Sequence, residues 1–154
     1  MHRVCLAILV AACTSSSSID TADVTVYDAC EPVALDTSAL TMAQLASVQD
    51  AIAAWNAVGV TAPVVGAATP VLPIEFLPSG PGSYGLYDGD IVYISSDLSD
   101  PHQREVVIAH ELGHALGLVH VSASTRSSVM NPGNLGTVPT ADDAAAVAAR
   151  WGCP

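Results

Sequence analysis

The chain has 154 residues, room for one domain built on one core. Apolar residues make up 51%, which excludes a disordered chain. Four arginines and no lysine stand against fifteen acidic residues, giving a formal charge of −11 and a pI near 4.3; this argues against a nucleic-acid partner, because phosphate contacts need clustered cations.

Residues 1–12, MHRVCLAILVAA, join one arginine to a short apolar run. The run is too short to span a membrane and fits a secretory signal. It ends in Val10-Ala11-Ala12-Cys13. Small residues before a cysteine resemble a bacterial lipobox, where cleavage leaves the cysteine lipidated; an ordinary signal peptide cut nearby, with Cys13 incidental, is the alternative. Residues 13–23, CTSSSSIDTAD, are polar and serine-rich, which suits a tether and not a core. The expected product is an exported lipoprotein, lipid-anchored at the outer membrane or cell surface and otherwise secreted, with a monomeric domain over 24–154. Of the remaining cysteines, Cys5 leaves with the signal. Cys30 and Cys153 lie near the two ends of the domain, and export permits a disulfide between them. The rival reading makes Cys30 a thiolate that masks a metal.

Within the domain, DVTVYD (23–28) alternates and reads as a first strand. Thr41-Met42-Ala43-Gln44 matches a capping box, and Leu45, Val48, Ile52 and Trp55 recur at helical spacing until Gly59. This predicts a helix over 42–58 with Trp55 as a core anchor. VLPIEFL (71–77) reads as a strand, and SYGLY and DIVYIS flank Asp88-Gly89 as a hairpin. Asp100, Pro101 and Gln103 start a helix as N-cap, N1 and N3 residues, and it should stop near Gly117. A last helix starts at Thr140, capped with Asp143, turns Val147 and Trp151 inward, and ends at Gly152. Long helices with a run of strands in one small domain give an α+β class.

The chemistry concentrates at HELGHALGLVH (110–120), which holds three of the five histidines. His110 and His114 are one helical turn apart on one face and can share a metal. Gly117 tolerates a left-handed conformation, so it can end the helix and turn the chain until His120 reaches the same ion. Three ligands with one open position are what a catalytic zinc requires. Glu111 fits a general base that takes a proton from zinc-activated water and hands it to a leaving amine. Asp88, Asp90, Asp97 and Asp100 cluster before this helix and could hold calcium; each also fits a turn or a helix cap. His102, on the helix's first turn, reads as solvated.

HELGHALGLVH resembles the metzincin zinc-protease pattern H-E-x-x-H-x-x-G-x-x-H in full. The later Ser127-Ser128-Val129-Met130-Asn131-Pro132 is similar to that group's Met-turn, most closely in the matrixin branch, as is the closing TADDAAAVAARWG. The resemblance implies a metzincin fold, with a mixed twisted sheet, an active-site helix and a C-terminal helix after the Met-turn. It implies one catalytic zinc held by His110, His114 and His120, with Met130 packed beneath them and not bound to the metal. It implies an extended peptide or protein substrate along an edge strand, here SYGLY (83–87), with PGNLGTVPT as the wall of a specificity pocket. By the same analogy Asp142 or Asp143 ties the last helix to the Met-turn. Val121 stands where matrixins usually carry serine, which puts the exact subfamily in doubt. No tyrosine follows Met130 to act as a further ligand. The expected function is a zinc endopeptidase. An inactive, metal-stabilised binding module and a zinc hydrolase of non-peptide amides are the alternatives; the intact Glu111 speaks against the first.

Overall fold

The described residues form three capped helices and a five-stranded sheet. The structure is a computed structural model and describes residues 24–66, 68–79 and 83–153. The expected signal, the lipid site Cys13 and the tether lie outside these residues. In chain order the elements are β1 (Val33–Asp36), α1 (Met42–Ala57), β2 (Pro63–Val65), β3 (Val71–Leu77), β4 (Gly85–Tyr87), β5 (Val92–Ser95), α2 (Pro101–Ala115) and α3 (Ala141–Trp151). The strands lie in the order β2-β1-β3-β5-β4. All neighbours run parallel except β4, which pairs antiparallel with β5 and forms an outer edge. The result is α+β with a mixed sheet, as expected.

The helix boundaries follow their capping chemistry. Thr41 and Gln44 form the reciprocal capping box of α1, and Thr140 and Asp143 form that of α3. Asp100 accepts from the Gln103 backbone N–H, and Pro101 opens α2 at a position whose own N–H would have no partner. Helix α1 packs along α2, and α2 also meets β4 and β5. Trp55 joins the two helices: its ring is fully buried and its indole N–H donates to the Ala109 carbonyl at 3.0 Å. The turn that carries the histidine motif is therefore fixed from behind.

Three sequence expectations change. DVTVYD is not a strand over its described residues, 24–28. Its backbone groups bond elsewhere: Tyr27 N–H donates to the Ala115 carbonyl at 2.8 Å, and the Tyr87 hydroxyl donates to the Thr25 carbonyl at 2.6 Å. The segment is an extended arm laid across the end of α2. The first strand is instead Val33–Asp36, and the short β2 completes that side of the sheet. Third, the hairpin turn at Asp88-Gly89 is wider than the two-residue type. It runs from Asp88 to Ile91, with the Asp88 side chain accepting from the backbone of Asp90 and Ile91.

Cys30 and Cys153 are joined by a disulfide, with Cα atoms 5.6 Å apart. It ties the segment before β1 to the residue that follows Gly152. The rival reading of Cys30 as a masking thiolate is not what the structure holds.

Candidate metal centre and active site

Helix α2 delivers His110, Glu111 and His114 from consecutive turns, and its end supplies the geometry for the third ligand. The Leu116 N–H closes onto the Leu112 carbonyl at 2.9 Å, and Gly117 then adopts φ +84°. A side chain would be strained there. Leu118 N–H folds back to the Gly113 carbonyl at 2.9 Å, and the chain turns towards His120.

The three imidazoles meet edge to edge. His120 Nε2 lies 3.2 Å from His110 Nε2 and 3.3 Å from His114 Nε2. A tetrahedral ion with metal–nitrogen bonds of about 2.0–2.1 Å sets nitrogen–nitrogen separations of roughly 3.3 Å, so the spacing suits zinc. The tautomers agree. His110 Nδ1 donates to the Val129 carbonyl at 2.7 Å, and His114 Nδ1 donates to the Leu118 carbonyl at 2.9 Å. A carbonyl can only accept, so each Nδ1 carries the proton and each Nε2 presents a lone pair to the centre. Burial lowers the pKa of all three rings, that of His114 to about 4. The rings are thus neutral and ready as ligands at physiological pH. The donor set, its spacing and its protonation all fit one zinc ion.

Glu111 lines the same cleft as the three histidines and is 6% exposed. Burial pushes its carboxyl up to about 8, opposed in part by the backbone of Tyr87. Strand β4 runs directly over it. A Cβ placed on Gly85 would come 2.6 Å from Glu111 Oε1 and 2.7 Å from Val107 Cγ1. Gly85 thereby lets the edge strand approach the carboxylate closely. Sequence reasoning placed Gly85 in the edge strand but did not assign it this role, which only the α2–β4 packing reveals.

Met130 is buried beneath the cluster. Its sulfur lies against Gly113, where any side chain would collide with it, and Trp55 packs nearby. The Met-turn is held by a dense set of polar contacts. Val121 N–H donates to the Met130 carbonyl at 3.0 Å, and the Asn131 amide returns to the Val121 carbonyl at 2.8 Å. The departure at Val121 therefore leaves its backbone fully engaged with the turn. Asp143, completely buried, accepts from Ser128 Oγ, Val129 N–H, Thr140 N–H, Thr140 Oγ1 and Arg126. Of the two acids that the resemblance singled out, Asp143 is the tie and Asp142 is not.

Around these residues lies a cleft of about 620 Å³. Tyr84 to Tyr87 of the β4 segment line one side, and Pro132-Gly133-Asn134 after the Met-turn line another. Both segments expected to contact substrate are thus in the cleft. Asn134 is a further residue that the sequence did not single out: its amide donates to the Val129 carbonyl, which also receives the His110 proton. The four aspartates before α2 do not converge. Among the described residues, the side chains close enough to share an ion are the three histidines, and Asp28 with the two bonded cysteines. His102 is exposed and pairs with Glu105 at 2.9 Å, outside the site.

This fold and this cluster define a zinc-protease type of domain. Residues 59–150 match the model of the matrixin peptidase family, and the chain belongs to that family. Among solved structures it is similar to high choriolytic enzyme 1, a hatching-enzyme zinc protease from the medaka fish Oryzias latipes. That match has a TM-score of 0.52 at 16% identity and covers 80% of this chain and 90% of the other. At that identity the likeness is one of fold. No curated protein matches the chain. The chain is a zinc metalloprotease of the matrixin family.

Proposed function

We propose that the domain is an exported endopeptidase that hydrolyses peptide bonds, with Glu111 as general base, and that it is lipid-anchored through Cys13. One observation carries the reading: three neutral imidazoles converge beside a buried carboxylate, in a cleft walled by an unpaired strand edge. His110, His114 and His120 would hold the zinc. The ion supplies Lewis-acid polarisation of a scissile carbonyl and lowers the pKa of water at its open position.

The remaining work falls to the chain. The free edge of β4 offers backbone groups to an extended peptide, which fixes the peptide's direction and depth. Gly85 brings that edge onto Glu111, so the scissile bond and the carboxylate share one end of the cleft. Glu111 takes a proton from the attacking water and passes it to the leaving amine. Its raised pKa belongs to the metal-free protein. A dication nearby favours the charged carboxylate and brings the value down.

Elemental analysis of the purified domain should find about one zinc per chain, and His114→Ala should lose it; a metal-poor wild type would sink the ligand assignment. A digest of a denatured proteome with and without a chelator should show chelator-sensitive cleavage, and none in either arm would count against the peptidase. The anchor is tested separately. Radioactive fatty acid should label the protein and fail to label Cys13→Ala, whereas an unlabelled wild type would leave an ordinary exported enzyme.

A further inference from the structure

Among the described residues, Arg150 is the only ionisable side chain that lines the cleft apart from the three histidines, Glu111 and two tyrosines. It comes from the last turn of α3 and lies over Gly117, at the end of the cleft formed by Gly117 to Val119. The contact is tight: a Cβ on Gly117 would fall 2.7 Å from the guanidinium carbon. Gly117 thus does two things, turning the chain towards His120 and leaving a bare surface for the arginine. The guanidinium carbon also lies over the Trp151 ring, 5.2 Å from its centroid, and the Trp151 indole N–H is itself fixed to the Leu116 carbonyl at 2.8 Å.

The other described arginines are engaged in structural bonds. Arg126 is paired with Asp143, and Arg104 donates to Ser47 Oγ and to the Leu98 and Ser99 carbonyls. Arg150 has no carboxylate partner among the described residues. In a chain with fifteen acidic residues and four arginines, a cation held on a cleft wall without an acid beside it is a distinctive placement. A guanidinium is a planar fork of N–H donors suited to a carboxylate, and one already seated against glycine and tryptophan loses less freedom on binding.

We propose that Arg150 forms a carboxylate-binding subsite at the Gly117–Val119 end of the cleft, so that the enzyme favours peptides with an acidic side chain at the position lying there. This deepens the peptidase reading above and rests on it. A purely structural arginine, placed in the last turn of α3 to complement the helix dipole, would stabilise the fold without choosing among peptides.

The test uses a peptide panel in which each position around the scissile bond is Asp, Asn or Lys in turn. For the wild type, one position should prefer Asp over Asn by about two- to fivefold, the size of an exposed ion pair. The preference should sit in KM and shrink as salt is raised. Arg150→Gln should bring the Asp-to-Asn ratio to about one, and Arg150→Glu should turn the preference towards Lys. The same peptide pair titrated into zinc-loaded Glu111→Gln protein should give the same ratio in Kd, independently of cleavage. Unaltered profiles in both Arg150 variants, or no carboxylate preference in the wild type, would overturn the proposal. So would a preference that emerges only after Asp20 and Asp23 are changed to Asn, since the chain's own acids would then be the ligand. A wild type that cuts no peptide fails the peptidase reading instead, and the Kd arm still reads the subsite.

Discussion

Asp143 accepts five hydrogen bonds while fully shielded from water. Burial alone would raise its pKa, but the bonds from Ser128, Thr140 and Val129 together outweigh this and hold it below the ordinary 3.8. Removing the charge leaves Arg126 and the Met-turn donors facing a poorer acceptor. Asp143→Asn should therefore cost about 3 kcal/mol in urea unfolding, as for a buried pair broken from one side; a change within about 0.5 kcal/mol, typical of an unimportant surface site, would contradict the assignment. The pH dependence has three parts. Asp143 has a depressed folded pKa, so its stabilisation is complete above pH 3.8 and is lost as pH falls below that value. The buried histidines act at higher pH. In the metal-free protein the unfolded chain takes up their protons near pH 6.5, while folded His114 resists until about 4. Glu111 opposes the rings, because its folded pKa is raised to about 8 and the folded state takes up its proton first as pH falls. Stability of metal-free Glu111→Gln protein, in which that opposing group is gone, should thus decline as pH falls from 6.5 towards 4, and a flat profile there would show that the rings are not buried as described.

At the scale of elements, legibility in the sequence followed how local each element's cause is. All three helices carry their start signals in a few residues, at Thr41, Asp100 and Thr140, and each begins where those signals place it. The site was legible for the same reason: His110, Glu111 and His114 need only helical spacing, and His120 needs only a glycine turn. Strands β1 and β2 were not legible. Val33 to Leu35 are buried in succession between two parallel neighbours, so they show no alternation, and β2 has three residues whose pairing is set by distant chain. DVTVYD erred the opposite way. Its alternation is real, because one side of the arm packs on the domain, but the partner is the end of α2 and not a strand. The disulfide clamps this arm's exit to the end of α3 across a sequence separation of 123 residues. In the chain-entropy model such a bridge stabilises by roughly 3–5 kcal/mol, so Cys153→Ser should lower the melting temperature by many degrees. An unchanged melting point, or two free thiols in non-reducing peptide maps of exported protein, would count against the bond.

For the whole molecule, the sheet and helices form a support that presents one working surface. Helix α2 is pinned by Trp55 from behind, by the Met-turn from below and by the β4 edge from above. The cleft collects the histidines, Glu111, the open strand edge and Arg150 in one place, from segments between Ser83 and Arg150. The matrixin match, over residues 59–150, covers that same stretch. In the proposed mechanism Glu111 is what joins the fold to an activity, since three histidines alone would serve equally well as a structural metal site. The deciding measurement is peptide hydrolysis by zinc-loaded Glu111→Ala protein beside the wild type. The account predicts full zinc content, an unchanged circular dichroism spectrum and a loss in kcat of about 10⁴-fold or more, the upper end for a positioned acid–base group. A folded, zinc-loaded variant that cleaves at close to the wild-type rate would remove Glu111 from the mechanism.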